Sequence, residues 1–594
     1  MKALILAAGF GNRMQPLTNE KHKTLLKVDG ECIIDRIISG LADNNVNDVV
    51  VVTGYRHDEL VQHLQNSFPA TNFQFVQNTR YRETNNIYSM ALAFEEMELN
   101  DDLLLIESDL IFTPEVISTI IHSEFDNVAL VSPYVTGLDG TVVQIAENRI
   151  TAIYPPHTQD EKFELFDKYK TLNIYKFTRD FCVNEFKKLL IYYAKVIDDN
   201  CYYELILGIL IYMQRQDIYC EIIPNDLWAE VDDPNDLTGA EFLFNKPARL
   251  SILEDAFGGY WNFDITDFCF IRNMYFPTSS MISEIKNNLP FLIHNYGSKQ
   301  KVLNLKLSYV LQCSNDYLLL LNGASQLYPV LEKLFANSKV LIPEPTFGEY
   351  SRVFSGSSIY QDSGEDFLDN LQNQLQEAEV VVVVNPNNPT GTTVPTDKLY
   401  ELAVGHPGKT FIIDESFLDF SGQASIIQLL EDKPLENVMV LVSMSKSYGV
   451  PGIRLGYVYT RSKPLLDILL ASIPIWNANS LAEFYLEILL KNKSAFRQSL
   501  EQSIDDREAF ARDLESIPGV HCVFPSGANF LMVQFDPHAL HSDIVKMMLE
   551  NDAIYIKEVS AKVVGAEGRY FRFAVRLPHE NRLLVDALRK YLAN

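Results

Sequence analysis

Basic residues are scarce in this chain: 50 lysines and arginines stand against 78 aspartates and glutamates, a formal net charge of -28 over 594 residues with a pI near 4.8. A nucleic acid or an anionic membrane surface would be repelled by such a charge, so neither is expected as a partner. Anionic substrates must then be held by local clusters of arginine and lysine. Cysteine is also scarce. The seven occur singly, at 32, 182, 201, 220, 269, 313 and 522, with no CxxC pair and no metal-ligand spacing, which fits a reducing cytoplasm. Long apolar runs are missing: residues 205–213, LILGILIYM, fall short of the ~20 that span a bilayer and read as a core helix. The opening MKALILAAG is cut off by Gly9 and Arg13 before a secretory apolar region is complete, and reads as a buried first strand. There is no low-complexity segment, internal repeat or long polar linker, yet the length exceeds one core and implies several domains of ~100–200 residues.

The stretch SMSKSYGVPGIRLG, residues 443–456, places one lysine, Lys446, among hydroxyls and glycines after the apolar run at 438–442. A lysine delivered at the end of a buried strand, where α/β proteins place ligands, is suited to act as a nucleophile and to hold pyridoxal phosphate (PLP) covalently. Such a cofactor needs a phosphate cup, an acid for its ring nitrogen and a flat surface over its ring. Ser443, Ser445 and Arg454 can supply hydroxyls and a cation to the phosphate, and Gly323, Ala324 and Ser325 offer backbone N–H groups at an expected helix start. Asp414, after the strand-like 410–413, can keep the ring nitrogen protonated. Asn388, in NPNNPTG at 385–391, can bond the ring hydroxyl, and Phe347, in EPTFGEY at 344–350, can stack on the ring. Taken singly, the lysine also reads as a solvated charge, the aspartate as a helix cap and the Asn-Pro-Thr-Gly as a turn. Their shared order after apolar runs favours the site.

These segments resemble the class I/II aminotransferases of the fold-type I PLP superfamily, within it the histidinol-phosphate aminotransferase branch. DESFLDF at 414–420 and PTFGEY at 345–350 are similar to its threonine-phosphate decarboxylase relatives. Phe417 stands where transaminases usually carry a tyrosine bonded to the PLP hydroxyl, which tilts the expected reaction toward decarboxylation. The resemblance implies that Arg572, in YFRFAVR at 570–576, clamps a substrate carboxylate or phosphate, and that Tyr296 reaches the phosphate of a neighbouring subunit, hence a homodimer.

In the first half, Ala8 and Gly9 open the loop AAGFGNRM at 7–14, where small residues let backbone N–H groups approach phosphate oxygens. Arg13 and Lys23 are cations within reach of the same phosphates. The loop alone leaves nucleotide binding and a plain turn equally open. With the strand ending near Asp109 and the acids of WAEVDDPNDL at 228–237, it resembles the nucleotidyltransferases that join a nucleoside triphosphate to a phosphorylated small molecule. That family usually has proline where His22 stands, so a less rigid loop is expected here. Asp109 and Asp232 are the expected Mg²⁺ ligands, Asp109 reading otherwise as a helix cap, while Asp233 and Asp236 are expected to cap the helix starting near Pro234.

Residues 78–90 and 169–177 resemble the cytidylyltransferases acting on phosphocholine, phosphoethanolamine or 2-aminoethylphosphonate. This implies that Asn85 and Asn86 lie near nucleotide or acceptor. Glu204, next to tyrosines, can face the acceptor amine, or else is a partly exposed helix glutamate. The expected architecture is α/β: a doubly wound, Rossmann-like nucleotidyltransferase domain over 1–245 and a fold-type I PLP domain over 250–594. The expected activity is CTP-dependent cytidylyl transfer to a small aminoalkyl phosphate or phosphonate, fused to a PLP enzyme that supplies it, by decarboxylation of phosphoserine or by transamination of phosphonoacetaldehyde. A sugar-1-phosphate nucleotidyltransferase fused to an aminotransferase, and a scaffold with one inactive half, are the other readings.

Overall fold

The computed structural model describes residues 1–160, 162–362, 366–563, 565 and 567–592, and divides into two compact units, Met1–Asp264 and Ile265–Asn594. Residues 593 and 594, the expected end of the second domain, lie outside the described residues. The division falls later than the expected start at 250. The Arg249 guanidinium donates to the carbonyls of Phe242 and Leu243, which ties helix Arg249–Ala256 back to helix Pro234–Phe244.

The first unit is built on a nine-stranded sheet. Strands Asn72–Gln77, Asp48–Thr53, Lys2–Ala7 and Leu103–Glu107 lie side by side and parallel, the order of a doubly wound half-sheet. Beyond them the sheet turns mixed, because Tyr169–Phe177 runs antiparallel between Leu103–Glu107 and Val128–Pro133. The three inner strands, Asp48–Thr53, Lys2–Ala7 and Leu103–Glu107, are mainly apolar, as strands covered on both faces must be, while the edge strand Asn72–Gln77 alternates polar and apolar residues. Each fully buried Leu, Ile or Val contributes roughly 1.5–3 kcal/mol. The acids at 233 and 236 form the expected reciprocal cap on helix Pro234–Phe244. The stretch expected as a core helix forms Glu204–Tyr212, but only one face is buried, through Ile206, Leu207 and Leu210, while Tyr212 is exposed. Among the described residues no helix is long and apolar enough to cross a membrane.

The second unit carries a seven-stranded sheet in the order Leu318–Leu321, Gly456–Thr460, Val438–Ser443, Thr410–Asp414, Val380–Val384, Val340–Glu344, Ser358–Gln361. Only Gly456–Thr460 is antiparallel to its neighbours. Val384 is in register with Asp414, and Asp414 with Leu441, so the C-terminal ends of these strands form one rim. A separate four-stranded sheet pairs Val520–Val523, Phe530–Phe535, Arg569–Ala574 and Lys557–Glu558.

Candidate active sites

In the first unit, a cavity of about 360 Å³ opens at the C-terminal edge of the parallel strands, lined among others by Ala8, Gly9, Arg13, Lys23, Asn85, Asn86, Asp109, Glu204 and Asp232. Lys23 is held there between two acids. Its Nζ donates to Asp109 Oδ2 at 3.0 Å and to Asp232 Oδ1 at 2.8 Å, and Arg13 Nη2 meets Asp232 Oδ2 at 2.6 Å. Burial alone would lower the Lys23 ammonium, but Asp109 and Asp232 outweigh it and carry its pKa above the ordinary lysine value. Asp109 does not cap a helix: one oxygen holds Lys23, and its buried Oδ1 has no hydrogen-bond partner. Asp232 groups instead with Glu230 and Asp139, whose carboxylate oxygens lie within 4.8 Å of its own. This set of hard oxygen donors fits a divalent cation. The expected looseness at His22 is not observed. Its backbone N–H donates to Glu59, its ring accepts from Thr24 N, and burial lowers its pKa to about 4, so the ring is neutral.

Farther in, the cavity becomes acidic. Glu204 is buried at 3 % exposure with Oε2 unpartnered, and burial raises its carboxyl to about 7. It is not the partly exposed surface glutamate of the other reading. Burial and the charges of Asp109 and Glu204 push Glu107 well up as well. Asn86 bridges this wall, donating to Glu107 Oε1 at 3.1 Å while its carbonyl accepts from Tyr203 N at 3.0 Å. Asn85, by contrast, caps helix Asn86–Glu96, accepting from Asn86 N at 2.8 Å. The Tyr203 hydroxyl is buried without a partner, and Lys170, 1 % exposed, is paired with Glu230 at 3.0 Å.

In the second unit, the expected residues gather on the strand-end rim. Lys446 follows strand Val438–Ser443, and its pKa is lowered to about 8 by burial and then by the charges of Arg572 and Arg454, with Asp414 opposing. Asp414 ends its strand, 4 % exposed, accepting from Tyr350 Oη at 2.7 Å and from Ser416 N at 3.0 Å. Burial raises its carboxyl against the pull of these bonds. Arg454 donates to Ser325 Oγ at 2.8 Å across Gly323, where a Cβ would stand 2.5 Å from Arg454 Nη2. Gly456 is equally constrained, since its Cβ would stand 2.6 Å from Ala324 N. The expected helix start at Ser325 is a 3-10 turn, Ala324–Gln326, that leads into helix Tyr328–Leu334. Ser445 is buried, and Ser443 N donates to Ser416 Oγ at 2.9 Å. Arg572 is buried: Nη1 donates to Asn388 Oδ1 at 2.9 Å, Nη2 to the Cys269 carbonyl, and Nε has no partner. Phe347 lies edge-on to Tyr350, and the Phe417 ring is 6.0 Å from Lys446 Nζ. Tyr296 is 79 % exposed and stacked on Trp476, with no hydrogen bond to Arg454 or Ser325 among the described residues.

These contacts fit PLP in this unit: glycines clear a cup beside a cation, an acid is held in place, and a lysine is poised to lose its proton. Sequence reasoning missed Glu107, Glu230, Lys170, Tyr350 and Ser416. Tyr350, Glu230 and Ser416 lay inside quoted motifs and Lys170 inside residues 169–177, while Glu107 ends the strand before Asp109, but only the register shows what they touch.

The model of the aminotransferase class I and II family matches residues 289–588, and that of the MobA-like NTP transferase domain matches residues 3–161. The chain is 30% identical to the CMP-5'-(3-aminopropyl)phosphonate synthase of Streptomyces rubellomurinus, over 99% of this chain and 94% of that protein. It is 27% identical to the L-serine phosphate decarboxylase of Sulfurospirillum multivorans, over 55% of this chain and 88% of that one. Among solved structures, the L-threonine-O-3-phosphate decarboxylase of Porphyromonas gingivalis matches with a TM-score of 0.49 at 24% identity, over 55% of this chain and 99% of that one.

Proposed function

The chain belongs to the class I and II aminotransferases and carries a MobA-like NTP transferase domain ahead of that domain, a bifunctional enzyme, and from that premise we propose which substrates each half takes. The PLP half removes CO₂ from an amino acid bearing a phosphate or phosphonate. The other half transfers CMP from CTP to the aminoalkyl phosphate or phosphonate so formed. Among amino-acid substrates, phosphoserine is the reference case and would give phosphoethanolamine and then its CMP ester.

The observation that carries this reading is the acidic wall of the first cavity, where buried Glu204 and partly buried Glu107 line the same space as Arg13 and Lys23. A small molecule with an anion at one end and an ammonium at the other fits such a polarity. An oxygen of its phosphate or phosphonate attacks the α-phosphorus of CTP, and pyrophosphate departs. Arg13 and Lys23 hold the phosphate oxygens and stabilise the charge that develops on them. Asp109 and Asp232, the latter grouped with Glu230 and Asp139, are the residues that would hold Mg²⁺, which would supply positive charge to the nucleotide phosphates.

In the second unit PLP, when bound, supplies an aldehyde that takes the substrate amine and a ring that accepts the electron pair left by the departing carboxylate. Asp414 would keep a proton on the ring nitrogen, and Arg454, Ser325, Ser443 and Ser445 would hold the phosphate. Asn388, its carbonyl held by Arg572, would offer its NH₂ to the cofactor. Lys446, easily deprotonated, is the amine that holds the cofactor and moves a proton at the substrate Cα. Phe417 offers no hydroxyl there, which supports decarboxylation over transamination. Exposed Tyr296, Trp476, Phe291 and Ile475 support a homodimer in which Tyr296 reaches the partner's phosphate site. The composition supports a cytoplasmic setting.

Incubation of the pure protein with PLP, CTP, Mg²⁺ and phosphoserine should yield CO₂, pyrophosphate and the CMP ester of phosphoethanolamine by mass spectrometry. A ketone product formed only with an amino acceptor would replace decarboxylation by transamination. Pyrophosphate released only with sugar phosphates would replace the acceptor.

A further inference from the structure

A second cluster of metal-ligating side chains lies in the first unit, outside the cavity described above. Cys32 precedes helix Ile33–Asp43, Asp35 lies in the first turn of that helix, and His63 stands in helix His57–Ser67. Three positions apart, Cys32 and Asp35 come to one side of the helix start. The two helices share one core through Ile34, Ile37, Leu60 and Leu64, and this packing brings His63 to the same place. His63 Nε2 lies 2.6 Å from Asp35 Oδ1, and ligand atoms of all three side chains lie within 4.8 Å of one another. Cys32 is buried and the other two are partly buried. They line a cavity of about 400 Å³ that Lys21 and Leu25 border as well. Lys23, between those two in the chain, lines the first cavity, so the segment that carries it borders both.

These donors differ in kind from those of the first cavity. Asp139, Glu230 and Asp232 offer only hard oxygens, whereas this set offers a sulfur, a nitrogen and an oxygen. Mg²⁺ selects oxygen ligands, but a thiolate beside an imidazole selects a borderline-soft ion, and Zn²⁺ takes all three donor types in tetrahedral sites. A His63–Asp35 pair would tie the two helices without any sulfur beside it. The Cys32 thiol is nonetheless fixed there, its Sγ donating to the Leu25 carbonyl at 3.4 Å and its backbone paired opposite Lys27. Lys21 and Lys27 line the cavity together with Glu31 and Asp35, so its balance of charge does not bar a cation. Spacing along the chain hides the set, since His63 comes 28 residues after Asp35.

We propose that Cys32, Asp35 and His63 form a Zn²⁺ site, with water from the open cavity as the fourth ligand. Binding takes the thiol proton from Cys32 and releases it to solvent. The ion staples the start of one helix to the middle of the next and, through the Leu25 carbonyl beside Cys32, steadies the segment that carries Lys23. The site does not depend on which substrates the first unit takes.

The test uses the tag-free full-length protein, dialysed against excess Mg²⁺ to fill the oxygen site and then titrated with Zn²⁺ against a chromophoric chelator. The wild-type protein should bind one Zn²⁺ per chain in this competition. Co²⁺ in its place should give the intense visible bands and the sulfur-to-metal charge transfer of a tetrahedral thiolate complex. Cys32→Ser and His63→Gln should each weaken Zn²⁺ by ~100-fold or more, since even the outer partners of metal ligands are worth ~10–100-fold. Cys32→Ser should also abolish the charge-transfer band. Circular dichroism and a cooperative melt show that each variant is folded, and His63→Gln, at a partly exposed position, carries the test should Cys32→Ser not fold. A wild-type protein that yields all its Zn²⁺ to the chelator would overturn the proposal, as would folded variants that bind it equally tightly or a cobalt complex without charge transfer from sulfur.

Discussion

Both units gather cations at the C-terminal edge of a sheet, but they surround them oppositely. In the first, each cation has an acid: Lys23 lies between Asp109 and Asp232, Arg13 against Asp232, and Lys170 against Glu230. In the second, Lys446 and Lys562 each feel the charge of Arg572, and only Asp414 opposes the lowering of Lys446. The pKa directions follow: Lys23 and Lys170 are raised, Lys446 and Lys562 lowered. An acid-paired lysine is a permanent charge whose carboxylates can also accept a metal or an ammonium. A lysine among cations is an amine ready to react, in a pocket that demands an anion.

The sharpest break of this contrast is Lys446→Ala. Turnover of the PLP half should fall by ~10³-fold or more, with loss of the bound cofactor's visible absorbance, while pyrophosphate release by the first half stays intact. Lys23→Met should be next, lowering cytidylyl transfer about 10²–10³-fold in a pyrophosphate assay and leaving CO₂ release untouched. Glu204→Gln should raise the KM for phosphoethanolamine about ten- to a hundredfold with little change in the KM for CTP. A rise shared by both substrates would remove Glu204 from the acceptor end.

The smallest effects are in stability against pH, and they carry opposite signs. Lys446 titrates near 8 when folded and near 10.5 otherwise, so the unfolded chain binds more protons in that window, and stability of the apo-protein should rise with pH across it. Glu204 titrates near 7 when folded against an ordinary 4.5, so the folded chain holds the extra proton and stability should fall as pH rises between them. Thermal melts of Lys446→Met and Glu204→Gln should each flatten the corresponding slope.

The strands and the residues that end them were legible because an apolar run followed by a turn exposes its own last residue. Lys446, Asp414, Asn388, Asp109 and the Asp233 cap were all marked in this way. What surrounds them was not. Tyr350 meets Asp414 across 64 residues and Lys23 meets Asp232 across 209, separations that no local pattern encodes. The antiparallel strand Tyr169–Phe177 carries Lys170 into the first cavity, and short strand Lys557–Glu558 sets Lys557 against Arg572, both through pairings that periodicity alone does not reveal.

The most direct test is to add PLP to the full-length protein, reduce with borohydride and map the pyridoxyl group by peptide mass spectrometry. One label on Lys446, and none on Lys23, is the expected result, because Lys446 follows its strand among Asp414, Arg454 and Arg572 and is easily deprotonated, whereas Lys23 is held between two carboxylates. A label on another peptide, or no label, would contradict the account of the second site.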